Sequence, residues 1–156
     1  MSLQVGDVAP NFSLRDAQAQ EVELAQLRGY WVVLYFYPRD LTPGCTKEAC
    51  GFRDIYSQYQ ARQWVVLGIS ADETQTHAKF ATKYQLPFPL LCDREAQVAT
   101  DYGCYGLKKF MGKEFMGIHR TTFIINPEGK IARIYRKIKP ETHAGEILED
   151  FPVEPQ

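Results

Sequence analysis

Hydrophobic residues follow two patterns along this chain. The first is the continuous run. Trp31-Val-Val-Leu-Tyr-Phe-Tyr37 and Trp64-Val-Val-Leu-Gly-Ile-Ser70 are rich in β-branched and aromatic residues, as expected of strands covered on both faces inside a parallel sheet. The second is helical spacing. Phe52, Ile55, Tyr56 and Tyr59 fall at i, i+3, i+4 and i+7 and predict a helix from about Pro43 to Ala61. His77, Phe80, Ala81 and Tyr84 predict a second amphipathic helix, opening at Asp72-Glu-Thr and ending before Pro87. Pro89 to Cys92 reads as a short strand and Ala96 to Tyr102 as a short helix. Thr121 to Asn126 and Lys130 to Arg136 read as strands joined by Asn-Pro-Glu-Gly, a hairpin turn signal, and Thr142 to Asp150 as a last helix. Asn11-Phe-Ser-Leu14 and Glu21-Val-Glu-Leu24 predict a small N-terminal β-hairpin. Gly103 to His119 is the least regular stretch and reads as a long loop.

Strands alternating with helices imply right-handed βαβ units, and the late hairpin adds antiparallel strands. The expected fold class is therefore α/β, a mixed central sheet flanked by helices in the thioredoxin-like order. No internal repeat, low-complexity tract or Ser/Gly-rich linker divides the chain, so residues 1–156 are expected to form a single domain. A domain near this size buries about 68–70% of its unfolded surface and needs neither disulfide nor metal to fold.

Charge narrows the partners. With 18 basic and 19 acidic residues the net charge is -1, which argues against nucleic acid or an anionic membrane surface as the main partner. The longest apolar run, Trp31 to Tyr37, falls far short of the roughly 18 residues of a spanning helix. The N-terminus lacks a basic n-region and an apolar h-region, so a cytoplasmic protein is expected. Four cysteines, Cys45, Cys50, Cys92 and Cys104, are the unusual entries in the composition. In a reducing compartment such thiols are buried hydrophobes, metal ligands or catalytic groups.

Cys45 has the best chemical position. Pro38-Arg-Asp-Leu-Thr42-Pro-Gly-Cys45 follows a buried strand and leads into a helix, the place where open sheets gather ligands. Thr42 is a natural N-cap with Pro43 at the first helical position. Cys45 then lies in the first turn, where free backbone N–H groups and the helix dipole favour thiolate over thiol. The Thr42 hydroxyl is placed to donate to that sulfur or to a substrate oxygen, or simply to cap the helix. Cys50 follows on the same helix, as a small buried residue or as a partner for Cys45. On an ideal helix the two Cα atoms stand roughly 8.6 Å apart, beyond the roughly 7 Å limit for a disulfide. Pairing therefore requires the helix start to unwind, with Gly44 and Gly51 lowering the cost. The cysteine spacing matches neither zinc ribbons nor the C-x-x-C of disulfide oxidoreductases, so no metal or cofactor is expected.

Pro38, Thr42 and Cys45 stand as P-x-x-x-T-x-x-C, and Thr42-Pro-Gly-Cys-Thr-Lys-Glu-Ala-Cys50 extends that motif. In these residues the chain resembles the peroxiredoxins, and within them the bacterioferritin comigratory protein, or peroxiredoxin Q, branch. The likeness runs from Val5-Gly-Asp-Val-Ala-Pro-Asn-Phe12 to Gly117-Ile-His-Arg-Thr-Thr-Phe-Ile-Ile-Asn126. It implies a thioredoxin fold, reduction of hydrogen peroxide and organic hydroperoxides, recycling by thioredoxin or a similar dithiol, and a monomer. Carried over by residue, it makes Cys45 the peroxidatic cysteine, Thr42 and Pro38 the shapers of its pocket, Arg120 the active-site arginine and Cys50 the resolving cysteine. A Cys45–Cys50 intramolecular disulfide is part of that implication.

Other residues draw weaker expectations. Glu48 either orients Arg120 or complements the helix N-terminus. His77 and His143 read as ordinary helix residues, His119 as a loop residue and Cys92 as a small core side chain. Cys104, in a glycine-flanked loop, is an alternative resolving or intermolecular thiol. A peroxide-responsive sensor or holdase using the same disulfide switch is the alternative function from another class, and a thiol-disulfide oxidoreductase is a second, disfavoured by the missing C-x-x-C.

Overall fold

A computed structural model describes residues 3–152. Its centre is a seven-stranded mixed sheet in the order β2-β1-β5-β4-β3-β8-β9. The strands are β1 (Ser13–Arg15), β2 (Glu21–Glu23), β3 (Val32–Phe36), β4 (Val65–Ser70), β5 (Leu90–Cys92), β8 (Thr121–Ile125) and β9 (Ile131–Tyr135). β3, β4 and β5 are parallel, with Tyr35 opposite Gly68, while β1, β8 and β9 join antiparallel. Thr121 to Ile125 is buried at every position, as is Val32 to Phe36.

Both faces are covered, which explains the continuous apolar runs. Val32, Leu34 and Phe36 point into one core with Leu67, Ile69, Tyr102 and Phe123. Val33, Tyr35 and Tyr37 point into the other, against α1 (Pro43–Asp54), α2 (Tyr56–Ala61), α3 (Thr74–Tyr84) and α5 (His143–Asp150). The short α4 (Gln97–Asp101) lies on the first face through Val98 and Ala99. Among the described residues no helix is long and apolar enough to cross a membrane.

Two expectations need correction. The helix predicted from Pro43 to Ala61 breaks at Ile55, whose backbone sits at φ -119°, ψ 20°, giving α1 and α2. No glycine or proline marks that break. The stretch read as a long loop is instead a two-stranded hairpin, β6 (Tyr105–Phe110) and β7 (Lys113–Ile118). Met111 and Gly112 turn it with φ of 51° and 79°, the left-handed pair that a tight two-residue hairpin demands. The hairpin forms a sheet of its own and carries Leu107, Phe110, Met111, Phe115 and Met116 exposed.

Candidate active site

β3 ends at Phe36, and the chain then turns through Pro38 to Thr42 before α1 begins. Thr42 has the extended backbone of an N-cap, φ -82° and ψ 155°, and Pro43 follows at the first position. Its carbonyl accepts the first helical bond from the Thr46 N–H at 2.9 Å. Its hydroxyl donates to the Arg39 carbonyl at 2.9 Å and closes the turn; it neither donates to the sulfur nor accepts from a helix N–H. Cys45, in the first turn, is buried at 2% exposure.

Arg120 enters from the junction between β7 and β8. Its Nη2 donates to Cys45 Sγ at 3.3 Å and its Nη1 to Glu48 Oε1 at 2.6 Å. One guanidinium fork thus holds two residues three apart on the same helix face. Gly44 makes this possible: a Cβ there would stand 3.2 Å from Arg120 Nη2. Glu48 is the functional candidate that spacing alone left open, and the ion pair decides it. Its side chain is fully buried while that of Arg120 is 21% exposed. Burial pushes the Glu48 carboxyl up to about 7, with Arg120 pulling the other way. Burial also works against the Arg120 charge, but Glu48 and Cys45 outweigh it and hold the guanidinium more firmly protonated than usual.

A groove of about 830 Å³ opens over the sulfur, lined by Pro38, Thr42, Gly44, Cys45 and Arg120 on one side and by Lys108, Phe110, Phe115 and Met116 of the hairpin on the other. Lys108 was not singled out by sequence. Its ammonium donates to the Ile118 carbonyl at 3.0 Å, and burial followed by Arg120 lowers its pKa. Gly117 leaves the space, since a Cβ there would meet Lys108 Cδ at 3.0 Å.

The remaining cysteines separate clearly. Cys50 is half-buried on α1, outside the groove lining, and all four thiols are free. Because Cys45 and Cys50 share the intact helix Pro43–Asp54, they are held apart as ideal geometry requires. Cys104 is not a loop thiol on the surface: it is 1% exposed, donates to the Ala99 carbonyl and is pushed up to about 12 by burial. Cys92 is half-buried rather than a core side chain, 3.6 Å from the Thr74 hydroxyl, and burial raises its pKa. His77 and His143 are fully buried, contrary to their reading as ordinary helix residues. His143 bonds the Thr122 hydroxyl and Glu146, and burial lowers its pKa. Asp40, Asp72 and His77 form the one group of potential metal-ligating side chains among the described residues. The Tyr37 hydroxyl donates to Asp40 Oδ1, and the Ser70 hydroxyl and the Asp40 N–H donate to Asp72 Oδ2.

Residues 5–134 match the model of the AhpC/TSA family. The chain belongs to that family. Its relatives include a putative peroxiredoxin bcp of Coxiella burnetii, 47% identical over 95% of this chain and 98% of that one, and peroxiredoxin Bcp of Bacillus subtilis, 42% identical over 96% and 95%. Among solved structures, a mutant of Xylella fastidiosa PrxQ superposes with a TM-score of 0.90 at 30% identity, covering 96% of both chains. The bacterioferritin comigratory protein of Xanthomonas campestris, described for its alkyl peroxide reduction activity, superposes at 0.84 with 32% identity over 89% and 88%. This peroxiredoxin is accordingly a thiol-dependent peroxidase with a thioredoxin-like fold, taking peroxide as substrate and a thiol as reductant.

Proposed function

We propose that Cys45 is the peroxidatic cysteine, with Arg120 as its activating cation and Thr42 and Pro38 as walls of the peroxide pocket. The observation that carries this reading is the 3.3 Å contact from Arg120 Nη2 to Cys45 Sγ at the start of α1. The thiolate attacks one oxygen of hydrogen peroxide or an alkyl hydroperoxide, the S–O bond forms as the O–O bond breaks, and the departing oxygen leaves as an anion that takes up a proton. Arg120, always charged and rich in donors, strengthens its hydrogen bonds as that charge develops. Cys45 is left as sulfenic acid.

Cys50 is the resolving thiol. The first turns of α1 unwind, Cys50 sulfur attacks the Cys45 sulfur, and water leaves as the disulfide forms. Thioredoxin or a similar dithiol then reduces that bond by exchange, becoming oxidised itself. The enzyme acts as a monomer of one domain in the cytoplasm, where such a reductant is available. Peroxide consumption with thioredoxin, its reductase and NADPH tests the whole cycle. Cys45→Ser abolishes turnover, and Cys50→Ser still forms sulfenic acid but loses most thioredoxin-dependent turnover; persistence of activity in Cys45→Ser refutes the assignment.

A further inference from the structure

We propose that Asp40 and His77, far apart in sequence and outside the pocket lining, are positioning residues for the peroxide pocket. They pin the turn that carries Pro38 and Thr42, and they mark the fixed end of the segment that unwinds when Cys45 pairs with Cys50. This inference rests on Cys45 being the peroxidatic thiol.

Asp40 is 5% exposed in the middle of a five-residue turn, a place where an aspartate usually faces water. Each of its polar atoms that can bond inward does so. The Tyr37 hydroxyl donates to Oδ1 at 2.5 Å, and His77 Nδ1 lies 2.6 Å from Oδ2. The Asp40 N–H donates to Asp72 Oδ2 at 2.8 Å, an oxygen that also accepts from the Ser70 hydroxyl at 2.6 Å. His77 Nε2 lies 2.9 Å from the Leu91 carbonyl. A carbonyl only accepts, so His77 Nε2 carries a hydrogen and its ring is fixed between β5 and the turn. One turn is thereby tied to the ends of β3, β4 and β5 and to α3.

Such a buried polar cluster is a costly way to stabilise a fold, since apolar packing of equal volume does as well or better. What it supplies here is location. Leu41, next in the chain, is held at φ 65°, a left-handed conformation that a leucine avoids unless its surroundings impose it. The Thr42 hydroxyl then closes on the Arg39 carbonyl. Pro38 and Thr42 thus flank the anchored residue on either side. Asp40 also lies five residues before Cys45, outside α1, so loss of the first helical turns removes none of its bonds.

The test compares sulfenic acid formation at Cys45, trapped and read by mass spectrometry after rapid quench with stoichiometric hydrogen peroxide, in a Cys50→Ser background that stops its onward conversion to disulfide, with Asp40 intact, Asp40→Ala and Asp40→Asn. Thermal melts establish the temperature at which each is folded. Displacing a reacting group by about 1 Å can cost roughly a hundredfold; Asp40→Ala is expected to react at least tenfold more slowly, and Asp40→Asn, which keeps shape and hydrogen bonds, to recover to within about threefold of the protein with Asp40 intact. A folded Asp40→Ala reacting at that protein's rate, or an Asp40→Asn as slow as the alanine variant, overturns the proposal. Hydrogen exchange on the wild-type protein tests the anchor without any variant: the Asp40 amide stays protected in both the reduced and the disulfide forms while amides of 43–50 lose protection on oxidation. Fast exchange at Asp40 in the disulfide form equally overturns it. Absence of sulfenic acid at Cys45 in the Cys50→Ser protein with Asp40 intact refutes the peroxidatic assignment instead, so the two failures are told apart.

Discussion

Replacing Glu48 by glutamine isolates the cost of keeping a carboxylate beneath the sulfur. The side chain keeps its shape and an oxygen to accept from Arg120 Nη1, but it no longer titrates. In the folded protein the carboxyl is raised from 4.5 to about 7, burial outweighing the attraction of Arg120. A folded value above the unfolded one means that the native state holds the proton more tightly, so stability falls as pH rises through that interval and is level on either side. The gap corresponds to about 3 kcal/mol when fully developed, of which roughly 2 to 3 kcal/mol is lost between pH 5 and pH 8. Urea unfolding followed by circular dichroism at a series of pH values, under a reductant that keeps the thiols free, measures it. In a Cys45→Ser background, which removes the one thiol on the same guanidinium, the other groups are common to the two proteins, so the stability difference between Glu48 and Glu48→Gln should change by that amount toward alkaline pH, in favour of the variant. Parallel pH profiles would refute the claim that Glu48 is held protonated-prone by burial, and with it the account of how Arg120 is balanced.

Three further outcomes follow from the same geometry. Arg120→Ala removes the donor to Cys45 Sγ; the rate of Cys45 oxidation should fall by roughly 10² or more, read by rapid-quench kinetics, and wild-type kinetics would remove Arg120 from the site. Gly44→Ala places a Cβ against Arg120 Nη2 and should slow oxidation about tenfold without lowering the melting temperature, because alanine is the better helix former; wild-type kinetics would show that the guanidinium moves aside freely. Cys104, pushed up to about 12 by burial, should escape an alkylating agent at pH 8 that labels Cys50, and Cys104→Ala should leave turnover unchanged; labelling of Cys104 as fast as Cys50 would contradict its burial.

The parts of the fold that sequence revealed are those where local pattern and tertiary burial agree. The runs at Trp31 to Tyr37 and Trp64 to Ser70 have no polar interruption, and both became central strands. Thr42-Pro43 specified the start of α1, and Asn126 to Gly129 the turn of the late hairpin, where Asn126 Oδ1 accepts from Glu128 and Lys130. Sequence failed at β6–β7 because Met111 adopts a left-handed conformation that methionine does not advertise, and because β6 is half exposed and β7 mostly so, with lysines where β-branched residues would signal a strand. The break at Ile55 was equally silent, since the apolar spacing continues through it. At the site, Cys45 and Arg120 were legible by motif, whereas Asp40 and His77 were not. A polar residue in a turn and a histidine on a helix look solvent-facing until the strand order brings them 2.6 Å apart.

The hairpin β6–β7 belongs to neither core through Leu107, Phe110, Phe115 or Met116, yet Phe110, Phe115 and Met116 form one wall of the groove above Cys45. The enzyme therefore divides its sequence into a part that must stay and a part free to drift. Substitutions at Pro38, Thr42 or Arg120 act on the pocket floor, while exchanges along the hairpin reshape what the pocket admits at little expense to folding. For anyone redirecting this scaffold toward bulkier or more polar peroxides, those side chains are the place to build a library.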